Sequence, residues 1–359
     1  MPKEPQNIHA VAARAGVSAA TVSRAFNCPD KVAPATRELV AHAARELGYQ
    51  PNAIARTLRT QRSRVLGVVL PTLLNPVFAE CLQGIALAAA RNGYAILPAM
   101  TGYDDEQERQ AVTQLLAGGV DGMILTVANP TDSQALERLR GVELPYVLVY
   151  NAHAEHPCVS VDGEAAAAEV VARLAALGHR RIAMVSGTLA ASDRAQQRYR
   201  GYLRGMAQAG LVPPALVEVP FVTSAVMALS RYLQAQPRPT ALFCSNDLLA
   251  IRAIRAAHLS GLSVPQDLSV VGFDGIAIGQ DLTPALSTIA QPSHDMGRHA
   301  VDLLVHAMER NRLPTAADSL YLPHAFHDGE SCSAATGAVP EASGRSPSSR
   351  PVSPQGVTP

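Results

Sequence analysis

The sequence predicts an α/β protein: a small three-helix head, built as a helix-turn-helix, and a two-lobed, doubly wound body. Three observations carry that expectation. Apolar residues in the opening segment recur at helical spacing in three short stretches separated by Gly and Pro. From Val65 onward, short apolar runs alternate with amphipathic stretches of helical length, which implies parallel sheets covered by helices on both faces. Charge is also divided unevenly. Residues 1–64 carry ten Lys and Arg against four Asp and Glu, a net +6, and the remainder carries −6. A basic head on an acidic body is the footprint of a nucleic-acid contact confined to one end.

Composition narrows the class further. A chain of 359 residues, 48% hydrophobic and 17% charged, is long enough for a large core and two or three domains. No apolar run approaches the ~18 residues of a membrane span, and Met1 to Gln6 has no apolar core, so neither membrane nor secretion is expected. Five scattered cysteines without CxxC spacing argue against a disulfide framework and for a reducing cytoplasm. There is no GxSxG elbow, no Walker loop and no HExxH, so no catalytic residue, cofactor or metal is expected. The His153/His156 and His324/His327 pairs lack a third ligand in helical register.

In the head, Ile8, Val11, Ala12 and Ala15 form one helical face, and Gly16 supplies the turn. Ser18 is a good N-cap for a second helix over Ala19 to Phe26, with Val22 and Phe26 inward. A third helix runs from Pro34 to Leu47 on a stripe of Leu39, Ala43 and Leu47, and Gly48 stops it. Two short helices about a tight Gly turn, crossed by a third, place the second helix for the major groove. Tyr49 to Thr60 is basic and weakly amphipathic, a linker able to become helical when bound.

The runs AGVSAATVSRAFN (Ala15 to Asn27), TRELVAHAARELGYQPN (Thr36 to Asn52) and ARTLR (Ala55 to Arg59) resemble the lactose/galactose repressor family, and the likeness extends from residue 7 to about 330. It implies that Ala19, Ala20 and Arg24 read bases, while Ser18, Thr21, Ser23 and Asn27 contact phosphates or cap the helix. It also implies a hinge helix carrying Asn52, Ala55 and Arg56, with Leu58 wedged into the minor groove at a central CpG step. Arg24 alone among the base readers has a fork suited to guanine. Ala19 and Ala20 offer only methyl groups. Ala33 stands where the family usually has a Ser cap for the third helix.

In the body, Val65–Leu70, Tyr94–Leu97, Gly122–Leu125 and Tyr146–Val149 read as one set of strands. Arg181–Val185, Ala241–Cys244 and Leu268–Phe273 read as a second, within about ten in all. Ligands in doubly wound folds bind beyond the strand C-termini, here between the lobes. The resemblance implies a periplasmic-binding-protein-like body and assigns ligand contacts to Arg198, Asn246, Asp274 and Gln291, and to Asn75, Phe78, Thr126 and Asn151 of the first lobe. Arg194 and Arg200 read as solvated neighbours of Arg198, with the reverse order as the alternative. Carboxylate, amide, guanidinium and a flat apolar ring suit a polyol.

The resulting plan has a helix-turn-helix domain at 1–50 and a hinge at 51–64. The first lobe takes 65–162 and 292–322, the second 163–291 and 323–328. The tail, 329–359, is rich in Ser, Pro, Ala and Gly and is expected to be disordered. It has no heptads, so a homodimer is expected, and two-fold symmetry implies a palindromic operator on double-stranded DNA. The expected function is a cytoplasmic, sequence-specific transcriptional repressor, controlled by a small sugar or sugar acid, a gluconate-like aldonate or a pentose. A sugar-binding transport component and a sugar kinase are disfavoured by the head and by the missing phosphate loop.

Overall fold

The computed structural model describes residues 7–49, 62–221 and 224–335. The head consists of α1 (Ile8–Ala15), α2 (Ala19–Asn27) and α3 (Pro34–Glu46). Local chemistry sets each boundary. Asn7 caps α1 by accepting from the amides of His9 and Ala10, and Gly16 ends it at φ 64°, a left-handed backbone that glycine adopts freely. Ser18 caps α2 by accepting from the Thr21 amide at 3.1 Å. Pro34 opens α3 behind Ala33, which has no side chain to cap it. Val11, Ala12, Val22, Val40, Ala43 and Ala44 form the buried core of the head, and an Arg14–Glu46 ion pair at 2.8 Å joins α1 to α3.

One inward position differs from expectation. Leu39 is 58% exposed, and Val40 takes its place beside Ala43, Ala44 and Leu47. Both phases satisfy helical spacing, but 40, 43, 44 and 47 make the wider apolar face.

The first lobe is built on β1 (Val65–Leu70), β2 (Ala95–Met100), β3 (Gly122–Leu125), β4 (Tyr146–Val149), β5 (Cys158–Ser160) and β11 (Leu320–Tyr321). Its helices are α4 (Pro76–Arg91), α5 (Asp105–Ala117), α6 (Gln134–Gly141) and α11 (Ser293–Glu309). The second lobe has β6 (Ile182–Ser186), β7 (Val217–Glu218), β8 (Ala241–Cys244), β9 (Ser269–Asp274), β10 (Ser287–Ala290) and β12 (Ala325–His327). Around them lie α7 (Gly163–Ala176), α8 (Asp193–Gln208), α9 (Val226–Gln234) and α10 (Asp247–Leu259).

The strand orders are β11-β5-β4-β3-β1-β2 and β12-β10-β9-β8-β6-β7, parallel throughout except for the antiparallel β12. Twelve strands thus form among the described residues where about ten were expected. β7 and β11 are two residues long, too short to leave a pattern in sequence.

Both sheets repeat one winding, and each reverses direction next to its first strand, between β1 and β3 and between β6 and β8. Those reversals open a crevice at the strand C-termini. The chain passes between the lobes three times, after β5, after β10 and between β11 and β12. Each sheet is buried on both faces: Leu66, Val68 and Leu70 point to one core of the first lobe, Val69, Met123 and Leu125 to the other.

The tail needs a correction. Residues 329–335 are not disordered but lie as a strap on the second lobe. Ser331 is fully buried; its carbonyl accepts from the Val270 amide at 2.8 Å, and its hydroxyl donates to the Val270 carbonyl at 2.6 Å and accepts from the Ser287 amide at 2.9 Å. Ser333 accepts from His179, and the Ala335 amide donates to Leu177. The composition argument counted apolar surface, whereas this segment is held by completing backbone hydrogen bonds. Residues 336–359 lie outside the described residues.

Candidate ligand cleft and nucleic-acid interface

A narrow cleft, with about 30 Å³ of free space for water-sized molecules, lies between the lobes at the strand C-termini. At its centre stands Asp274, the last residue of β9, held at φ 127°. Its Oδ2 accepts from Asn75 Nδ2 of the first lobe at 3.0 Å, its Oδ1 accepts from Gln291 Nε2 at 2.9 Å, and Arg198 Nη2 lies 3.4 Å from Oδ1. Burial raises the Asp274 pKa, and the Arg198 guanidinium opposes the rise. Arg198 also donates to the Ser245 carbonyl and covers the Phe273 ring at 3.7 Å. Burial lowers its pKa, against the pull of Asp274.

Asp247 sits behind this cluster and fastens the turn that presents Asp274. It accepts from the amides of Gly275 (2.7 Å) and Ile276 (2.8 Å) and from the Thr288 hydroxyl. Burial, reinforced by Asp274, pushes its carboxyl up.

A second polar seam joins the lobes. The Asp193 amide donates to the Ala128 carbonyl at 2.8 Å, and Asn151 Nδ2 donates to Asp193 Oδ1 at 2.7 Å. Arg194 Nη1 donates to the Val127 carbonyl at 2.7 Å and to Asp193 Oδ1 at 2.9 Å. Glu108 closes the seam from below by accepting from the Ala128 amide at 2.8 Å. Burial raises both acids, Glu108 to about 7. Aromatic rings finish the walls. Phe78 meets Tyr150 edge-on at 5.3 Å, and Tyr103 of the first lobe stacks on Phe221 of the second at 4.7 Å.

Of the expected ligand residues, Asn75, Phe78, Arg198, Asn246, Asp274 and Gln291 line this one cleft. Thr126 and Asn151 do not. Both are fully buried behind its wall: Thr126 donates to the Val149 carbonyl at 2.9 Å, and Asn151 braces Val127 and Asp193. Both stand at strand ends, but Thr126 turns into its own lobe and Asn151 is spent on the seam between the lobes rather than on the cleft lining. Arg200 is exposed beside Glu164, as a solvated neighbour should be. Arg194 is the reverse, buried and part of the wall. Sequence reasoning missed Tyr103, Tyr150, Ser192, Ser245 and Phe221. Ser245 precedes Asn246 at a strand end, the one position among them with a legible signal.

In the head, Ser18, Ala20 and Arg24 are exposed, with Ala19, Thr21 and Ser23 half-buried along the same helix. Ser18 and Thr21 bond one another through their hydroxyls at 2.9 Å, so both shape the start of α2. Ala20 and Arg24, four residues apart, share one outward face. Asn27 ends α2. Asn52, Ala55, Arg56 and Leu58 lie outside the described residues.

Residues 7–52 match the bacterial regulatory proteins of the lacI family, and residues 171–332 match a periplasmic binding protein-like domain. The chain is 36% identical to the HTH-type transcriptional repressor CytR of Escherichia coli (strain K12) over 305 residues, covering 83% of this chain and 89% of that one. The lac repressor dimer bound to operator and the anti-inducer ONPF superposes with a TM-score of 0.82 at 28% identity, over 92% of this chain and 100% of that one. A complex of the transcriptional regulator CelR with cellobiose gives 0.68 at 28% identity, over 91% and 100%.

A helix-turn-helix joined to a two-lobed cleft defines a class: DNA-binding transcriptional repressors, which are not enzymes. This chain belongs to the LacI family. Among the described residues no helix is long and apolar enough to cross a membrane.

Proposed function

We propose that the protein is a cytoplasmic homodimer that represses transcription from a palindromic operator, and that a small sugar or sugar acid, a pentose or a gluconate-like aldonate, bound between the lobes lowers its operator affinity. The observation that carries this reading is the Asp274 cluster, in which donors from both lobes converge on one buried carboxylate beside aromatic faces. Such a lining suits hydroxyls on a small ring. Dimerisation is supported by exposed apolar side chains on both lobes, Leu74, Leu87 and Leu97 on the first and Met227, Leu259 and Ile278 on the second. In the head, the outward face of Ala20 and Arg24 supports major-groove reading, with Arg24 worth about 1–3 kcal/mol at one base pair. Lobe rotation would then act on the hinge at 51–64, with coupling of about 1–3 kcal/mol that is reciprocal between ligand and DNA.

Two measurements test this. Selection of bound sites from random duplexes should return a palindrome, and Arg24→Ala should relax one base pair in each half-site. A thermal-shift panel of pentoses, hexoses, polyols and aldonates should return a hit. At 100 times its dissociation constant a ligand adds about 2.7 kcal/mol, and that ligand should release the selected DNA. Asymmetric sites, or a hit without release, would refute the coupled-dimer reading.

A further inference from the structure

We propose that Asp121 is a positioning residue for operator recognition. Its carboxylate clips the connector at Ser63 and Arg64 and fixes the direction in which the chain leaves the first lobe for the head. The inference rests on the dimeric-repressor reading above and goes beyond it, by assigning the point where the first lobe grips the hinge expected at 51–64.

Asp121 immediately precedes β3, and three donors from the connector converge on it. Its Oδ1 accepts from the Ser63 amide at 2.7 Å and from the Ser63 hydroxyl at 2.9 Å, and its Oδ2 accepts from the Arg64 amide at 3.0 Å. The Asp121 amide donates in turn to the Val65 carbonyl at 2.9 Å, so side chain and backbone grip one short stretch of chain. A carboxylate holds such donors more firmly than a neutral acceptor would. Two further elements of the first lobe reach the same stretch. The Ala95 amide at the start of β2 donates to the Arg64 carbonyl at 2.9 Å, and Arg62 Nη2 donates to the Met308 carbonyl of α11 at 3.4 Å. Asp121 does not line the interlobe cleft.

Backbone strain shows what the clip does. Arg64 stands at φ 57°, a left-handed conformation that is costly for a residue with a Cβ. Such a conformation persists only where its surroundings over-determine it. Here the Arg64 amide is tied to Asp121, its carbonyl to β2, and its guanidinium lies over the Tyr94 ring at 5.1 Å. The turn redirects the chain between the connector and β1. Without the Asp121 carboxylate the Arg64 amide loses its partner, the turn relaxes, and everything N-terminal to it leaves the lobe in another direction. Two heads on a palindrome must meet half-sites at a fixed separation, so specific binding depends on that direction. Non-specific binding needs only phosphate contacts from the basic head and tolerates any exit.

The test uses the full chain, the palindrome selected from random duplexes, and the same duplex with a base pair inserted at its centre, read by fluorescence anisotropy at fixed salt. Wild type should discriminate against the inserted duplex. In Asp121→Ala, affinity for the palindrome should fall about tenfold or more and its preference over the inserted duplex should shrink about fivefold. Affinity for unrelated DNA should stay within about twofold. Asp121→Asn, which keeps one acceptor oxygen, should lie between. Hydrogen exchange should quicken at the Ser63 and Arg64 amides while β1 and β3 stay protected. Ser63→Ala, which deletes one bond to Asp121, should lose about threefold and carries the test should Asp121→Ala fail to fold. Wild-type affinity and spacing preference in Asp121→Ala overturn the clip, and so does an equal loss on both duplexes, the mark of a merely structural role. A wild-type protein that selects no palindrome instead overturns the dimeric-repressor reading, and the inference falls with it.

Discussion

Glu108 shows how one buried carboxyl makes the interlobe seam sensitive to pH. Burial lifts it to about 7, although the Ala128 amide pulls the other way. The folded value lies above the ordinary 4.5, so the folded chain holds the proton more tightly than the unfolded chain does. Stability from this group is complete below about pH 4.5 and is lost as pH rises to about 7. The span corresponds to at most roughly 3 kcal/mol. Glu108→Gln keeps a carbonyl for the Ala128 amide and removes the titration. Urea unfolding of the variant should show a flatter pH profile from about 5 to 7.5 and a higher midpoint than wild type at pH 8; parallel profiles would acquit Glu108. The same scale explains what could be read of the site. Asn75, Asn246 and Asp274 end strands or begin helices, positions that a strand–helix alternation exposes to view. Tyr103 and Tyr150 enter the cleft because their backbones take φ 65° and 69°, a left-handed turn that no apolar pattern announces.

At the scale of elements, glycine sets how closely helices pack. A Cβ on Gly84 of α4 would lie 2.1 Å from the His294 carbonyl oxygen, and one on Gly297 of α11 would lie 2.2 Å from that of Cys81. The second lobe repeats the device: a Cβ on Gly201 of α8 would lie 2.1 Å from the Glu164 carbonyl oxygen of α7. These neighbours are backbone, so a methyl group must push the helices apart. Gly297→Ala should therefore cost at least the ~1–3 kcal/mol of an overpacked core, despite its better helix propensity. Chemical denaturation checks this: a variant as stable as wild type would show that α11 moves away without penalty. The helices themselves were legible from their apolar stripes, because burial and periodicity are the same fact seen twice. Their contact distances were not, since Gly84, Gly201 and Gly297 read in sequence only as weak helix formers. The phase of α3 failed for a related reason, Leu39 and Val40 being equally apolar neighbours.

For the whole molecule, two sheets with the same winding face each other across a cleft, and the chain crosses between them three times. A crossing close to each lobe's last strand lets the lobes turn while their sheets stay intact, which is the motion that control by a ligand requires. The third crossing, between β11 and β12, continues into the strap at 329–335, and here the last prediction applies. The strap serves the amides of Val270 and Ser287 and packs Ser331 to full burial; Cys332 leans on the second-lobe core, and the Ser333 carbonyl accepts from buried His179. A chain ending at residue 335 should therefore be more stable than one ending at 328. At about 0.5–1.5 kcal/mol for each net hydrogen bond, losing three or four such bonds costs a few kcal/mol, or roughly 5–15 °C in Tm at this size. Hydrogen exchange should localise the loss to the amides of β9 and β10, leaving the first lobe protected. Equal Tm values with unchanged exchange in β9 and β10 would show that the strap rests on a lobe already complete without it.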